Sequence, residues 1–154
     1  MDHLDPPRST DPLTGLGDRR AFDAALGDAA GQVEPLSLVV VELDRLDEIR
    51  VSHGPQRSDR AMKEAAGALI AAIRSPSDQC FRWRHNGFAV LLPRTGGYEA
   101  EEIGHRLADA VGLLCKRPDG TPLTATFGAA QLADDAPNAH VELVEAADAA
   151  LRAQ

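Results

Sequence analysis

Arg82, Arg84 and His85 crowd into the stretch RWRHNGFAVLLP, Arg82 to Pro93. Arginine grips phosphate through two parallel N–H bonds, so such a group can line a metal-free anion or nucleotide pocket. The turn itself, Arg84-His85-Asn86-Gly87, offers no carboxylate, thiol or hydroxyl. A second group of chemical interest closes the run LSLVVVELD, which ends in the acids Glu42 and Asp44. The alternative to a pocket is a solvated turn whose arginines pair with Glu42, Asp44 and Asp47, and this is the preferred reading.

Other chemistries find little support. His3, His53, His85, His105 and His140 are scattered and show no metal-ligand spacing. Serines and threonines have no evident His-Asp partner. GLGDRR lacks the preceding strand and the third glycine of a dinucleotide fingerprint. Cys80 and Cys115 form no framework and suit a reducing compartment. The net charge of −8 opposes binding to nucleic acid or an anionic membrane. MDHLDPPRST has neither the basic nor the apolar region of a signal peptide. A chain of 154 residues with 44% apolar and 26% charged residues is expected to be one cytoplasmic globular domain.

The elements that must position these groups follow from pattern. Residues 1–10, with Pro6 and Pro7, are expected to form a flexible tail, and residues 11–154 the domain. Asp18 caps a helix carrying Phe22, Ala25, Leu26 and Ala29 on one face. Leu36 to Asp44, continuous and β-branched, predicts a central strand buried on both faces. A short helical piece, RLDEIRVSHG, leads to Gly54. Gln56 to Arg74 predicts an amphipathic helix, with Ala61, Ala65, Ala68, Leu69 and Ala72 inward and Arg57, Arg60 and Lys63 outward. QCFRWR and FAVLLP flank HNG and predict a hairpin turning at Asn86-Gly87. A helix ending near Cys115, a turn at Asp119-Gly120, a strand holding Thr124, Thr126 and Phe127, and a last Ala-rich helix complete the chain. The mixed order predicts an α+β sheet with helices packed on it.

Several fragments together resemble the GGDEF domain of bacterial diguanylate cyclases. DPLTGLGDRRAF is similar to D-x-L-T-G-L-x-N-R-R-x-F, with Asp18 in place of Asn. LSLVVVELDRLDEI resembles the first strand and its D-x-D-x-F-K-x-x-N-D continuation, and GPQRSD resembles G-H-x-x-G-D. FRWRHNGFAVLLP resembles R-Y-G-G-D-E-F-x-x-L-L-P, TATFGAA resembles T-x-S-x-G-x-A, and EAADAALRAQ resembles R-A-D-x-A-L-Y-x-A-K. The resemblance implies a nucleotide-cyclase-like, ferredoxin-like palm, with a mainly antiparallel sheet flanked by helices. It also implies two domains joining two GTP molecules into cyclic di-GMP, a metal-assisted attack of a 3′-hydroxyl on an α-phosphate.

By that resemblance the metal ligands fall on Glu42, the carbonyl of Leu43, and Asp44. Glu42 stands where Asp is usual, one methylene longer, and Mg²⁺ is exacting about geometry. Arg84, His85, Asn86, Gly87 and Phe88 stand where G-G-D-E-F is expected. Two bulky residues replace the glycines, an amide and a bare backbone replace the acids, and Phe88 is kept. Asp47 replaces a phosphate-binding Lys, Arg50 a guanine-reading Asn, Val51 the following Asp, and Pro55 a His. Asp59, a guanine-reading position, is retained. Arg152 replaces Tyr, and the sequence ends at Gln154, before a Lys and Arg expected to contact phosphate. An upstream inhibitory R-x-x-D site has a remnant in Arg74 and Asp78, with Arg one residue early. The expected function is a catalytically inactive, regulatory domain that contacts a protein partner or pairs as a homodimer. The alternative is a sensor holding GTP or cyclic di-GMP at Arg50, Asp59, Arg82, Arg84 and His85, and an active cyclase is the least favoured reading. No cofactor is expected, and Mg²⁺ only with residual activity.

Overall fold

The computed structural model describes residues 9–133 and 138–154. Of the expected N-terminal tail, residues 1–8 lie outside the described residues. Ser9 and Thr10 do not behave as a tail: the Asp18 N–H donates to the Ser9 carbonyl at 3.2 Å, and Thr10 bridges Gly17.

The elements run α1 (Arg19–Ala29), β1 (Leu36–Leu43), α2 (Leu46–His53), α3 (Pro55–Ala72), β2 (Gln79–Trp83), β3 (Gly87–Pro93), α4 (Gly97–Leu114), β4 (Ala125–Gln131) and α5 (Ala139–Arg152). The strands form one sheet in the order β2-β3-β1-β4, antiparallel at every pairing. This is the predicted α+β architecture with a ferredoxin-like strand order.

β1 is central, and its alternation divides the interior. Val39, Val41 and Leu43 join one apolar cluster with Ile49 of α2, Met62 and Leu69 of α3, and Leu107 and Val111 of α4. Leu36, Leu38 and Val40 join the other, with Phe22 and Leu26 of α1 and Leu143, Ala147 and Leu151 of α5. A strand covered on both faces needs no polar alternation, which explains its continuous apolar sequence.

Helix ends follow the expected chemistry. The Asp18 side chain caps α1 by accepting from the Ala21 N–H at 3.1 Å. Pro55 opens α3, where its missing N–H costs nothing. That helix stops at Ala72, so Arg74 lies beyond it rather than in its last turn.

Close backbone approach fixes α5. A Cβ at Gly128 of β4 would collide with the Ala147 carbonyl oxygen and the Leu151 backbone, so only glycine lets the helix sit this near. Gly128→Ala is therefore expected to destabilise the fold by about 1–3 kcal/mol, as overpacking does. Gly67→Ala is its opposite, because Gly67 is exposed in the α3 interior with open space around it. It is expected to gain about 0.5–1 kcal/mol. Urea midpoints at unchanged slope measure both.

Candidate functional site

The end of β1 and the β2–β3 turn meet at one end of the sheet, where Glu42 pairs with Gly87 across the strands. Trp83 and Gly87 also pair, so the turn is the three residues between them. The sequence reading placed the turn geometry on Asn86-Gly87, and the structure corrects this. Arg84 takes the left-handed conformation, with φ of 54°, whereas Gly87 already belongs to β3 without a positive φ. An L-residue there carries strain of about 1 kcal/mol, which the contacts of Arg84 must offset.

Those contacts converge on Glu42 and Asp148. Arg152, in the last turn of α5, grips Glu42 with both terminal nitrogens, Nη1 to Oε1 at 3.1 Å and Nη2 to Oε2 at 2.9 Å. Arg84 Nη1 donates to Asp148 Oδ1 at 2.8 Å and lies 3.6 Å from Glu42 Oε2. Arg152 Nη2 is also 3.5 Å from Asp148 Oδ1. Each arginine thus faces the same two carboxylates. The hydrogen bond from Arg84 holds the Asp148 carboxyl below its ordinary range, against the opposing effect of burial. Bonding to Glu42 favours the charged form of Arg152.

Arg84 therefore pairs with Glu42 as the sequence reading preferred, while the other expected pairings change. The Asp44 carboxylate accepts from Thr124 Oγ1 and Thr126 Oγ1, both at 2.7 Å, while the arginine that reaches this residue, Arg117, donates to its backbone carbonyl at 3.5 Å. The Leu43 side chain is buried in the core. Asp47 faces His85 rather than an arginine, at 3.7 Å between two exposed side chains. Arg82 turns back on its own hairpin, donating to the carbonyls of Arg84 at 2.9 Å and His85 at 2.8 Å. Its remaining nitrogen donates to Asp11 Oδ2 at 3.0 Å. A guanidinium so committed braces the turn instead of facing an anion. Arg50 on α2 and Asp59 on α3 are exposed, and among the described residues neither forms an ion pair with the hairpin group. Phe88 is a core residue.

Arg74 and Asp78 both line a hollow of about 460 Å³, together with Arg94, Glu99 and Arg106. Burial pushes the Asp78 carboxyl up, opposed by nearby Arg106 and reinforced by Glu99. Among the described residues, no group of three or more His, Cys, Asp or Glu side chains is arranged to hold a metal.

The sequence reading missed Arg152 and Asp148 as members of this site. The available signal was a pair of departures at Glu42 and Arg152, a longer acid and a new cation, separated by 110 positions.

The family model described as diguanylate cyclase, GGDEF domain, matches residues 8–154. The chain belongs to the GGDEF domain family. Among curated proteins it is 31% identical over 156 residues to diguanylate cyclase DgcP of Pseudomonas aeruginosa, covering 97% of this chain and 23% of that protein. It is 32% identical over 111 residues to diguanylate cyclase DgcS of Shewanella oneidensis, covering 70% of this chain and 33% of that one. The chain thus spans a third or less of these relatives' length. Among solved structures, diguanylate cyclase SiaD of Pseudomonas aeruginosa, in complex with its activator SiaC, superposes with a TM-score of 0.84 at 29% identity, covering 94% of this chain and 56% of that one. The GGDEF domain of DgcB from Caulobacter crescentus, in complex with c-di-GMP, shares the fold with a TM-score of 0.85 at 24% identity, covering 98% and 92%. No described helix is long and apolar enough to cross a membrane.

The loop around Asp11, ahead of α1, sets a pH dependence. Burial acts to raise the Asp11 carboxyl, but bonds from the Thr14 hydroxyl and N–H and from Arg82 outweigh it, so the group titrates below its ordinary 3.8. A depressed folded-state value contributes stability above the unfolded value, and that contribution is lost as pH falls through the folded one. Thermal melts below about pH 4 are expected to drop less steeply for Asp11→Asn than for the parent protein.

Proposed function

We propose that this chain is a catalytically inactive GGDEF domain, formed by residues 11–154. In this reading it acts in cyclic di-GMP signalling in the cytoplasm, through regulatory contact with a protein partner or a second copy. The observation that carries this reading is the bare position 87. Gly87 stands where the family signature places its catalytic Glu. A Cβ built there would lie 2.5 Å from the Val41 carbonyl oxygen and 3.2 Å from that of Trp83. The acid is absent, and this backbone leaves no room to install it.

The remaining residues agree. Glu42 is held by arginines and Asp44 by threonines, so neither presents the open carboxylate oxygens a hard cation needs. The donor set does not fit the Mg²⁺ of a working cyclase. Asp47 adds negative charge where the family binds phosphate. SiaD, captured with its activator, illustrates the protein-contact mode for a relative.

The hollow at Arg74 and Asp78 favours a second reading, a sensor that holds GTP or cyclic di-GMP without turnover. Arg74, Arg94 and Arg106 supply phosphate-binding donors there, and Asp78 supplies an acceptor.

Incubation with GTP and Mn²⁺ or Mg²⁺, followed by chromatography, is expected to yield no cyclic di-GMP. A product peak that disappears in Glu42→Ala would overturn the reading. Calorimetric titration with cyclic di-GMP separates the alternatives: heat abolished by Asp78→Ala supports the sensor. Replacing Arg84-His85-Asn86-Gly87 by Gly-Gly-Asp-Glu is expected to restore no measurable turnover. It should also lower the melting temperature, because the new Glu side chain collides with Val41.

A further inference from the structure

Glu42 Oε2 and Asp148 Oδ1 converge on the same two guanidinium nitrogens. Arg152 Nη2 lies 2.9 Å from the first and 3.5 Å from the second; Arg84 Nη1 lies 3.6 Å and 2.8 Å from them. Two acids that close to one point repel each other unless a cation lies between them. Here the cations are covalently part of the chain.

We infer that Arg84 and Arg152 replace the divalent metal at the end of β1, closing a cation site formed by Glu42 and Asp148 while latching the C-terminus of α5 to the hairpin. The inference rests on reading this chain as a GGDEF domain without cyclase activity, and it adds how the acid at the strand end is neutralised. Three elements meet at the cluster: β1 through Glu42, the β2–β3 turn through Arg84, and α5 through Asp148 and Arg152. Two positive and two negative groups balance, so the cluster needs no external ion. The Glu42 and Asp148 side chains are 17% and 27% exposed, enough desolvated to make an unpaired carboxylate costly. The guanidinium fork satisfies both Glu42 oxygens at once, which a spherical ion bound through one oxygen does not. Aspartate at position 42, one methylene shorter, would fall short of that fork. The longer acid and the arginine at position 152 therefore act as one coupled change.

Mn²⁺ titration of the purified chain without nucleotide, followed by loss of the free-ion paramagnetic resonance signal, tests this. The parent protein is expected to leave the signal undiminished. Arg84→Met combined with Arg152→Met uncovers both acids and is expected to bind Mn²⁺ at least about tenfold more tightly, a change of about 1.4 kcal/mol. Glu42→Gln in that background should return binding to the parent level. Arg152→Met alone removes one half-exposed cation at a helix end and should show an intermediate gain, which decides the matter if the double variant does not fold. Mn²⁺ binding by the parent protein that depends on Glu42 would overturn the inference. So would folded arginine variants that bind no more tightly than the parent. Because no GTP is present, neither failure bears on cyclase activity, which the product assay measures separately.

Discussion

Burial of β1 on both faces is the constraint on which the rest of this molecule depends. A strand that hides Leu38 and Val40 on one side and Val39 and Val41 on the other must be covered by helices on both. It must also lie in the middle of the sheet, paired to β3 and β4. The burial ends where the apolar run ends, so Glu42 and Asp44 emerge at the rim with their backbones fixed. In a strand so confined, a residue at the rim cannot drift to find a partner; partners must be brought to it.

Two elements bring them. β3 carries the hairpin to Glu42 through the register that opposes Gly87. α5 reaches the same rim because Gly128 lets its backbone lie directly on β4. The helix could not deliver Asp148 and Arg152 from the greater distance that an alanine at 128 would impose. The chemistry of the site is thus set by a glycine that contributes no functional group. Arg82 and Asp11 serve the same end from below, holding the turn carbonyls in place.

Much of the fold was legible because it is written in local pattern. The β-branched run of β1, the Asp18 cap and the alanine stripe of α3 each report a requirement satisfied within a few residues. The hairpin was legible in existence but not in detail. Asn-Gly is the usual source of left-handed turn residues, yet here the cross-strand pairing of Trp83 with Gly87 draws the glycine into the strand and leaves Arg84 in the strained position. The partners of Glu42 were not legible, because an exposed arginine in a last helical turn ordinarily complements the helix dipole and implies nothing more. Likewise, Asp44 was assigned to arginines because charge seeks charge, whereas two neighbouring threonine hydroxyls on the adjoining chain segment satisfy it at shorter range. Pairings that depend on which face of a distant helix meets a strand end require the packed structure.

Trp83 ties the interior to this rim. It is the chain's only tryptophan, stacked edge-on against Phe22, with Arg19 4.4 Å and Arg84 5.4 Å from its ring. Its indole N–H is buried and, among the described residues, finds no hydrogen-bond partner. An indole so placed is expected to emit as a buried chromophore beside two cations. The protein consequently carries a native optical reporter at the hinge of its hairpin, with no second tryptophan to dilute the signal. Any event that moves Arg84 or admits water beside Trp83 will be visible as a shift in the colour of its emission.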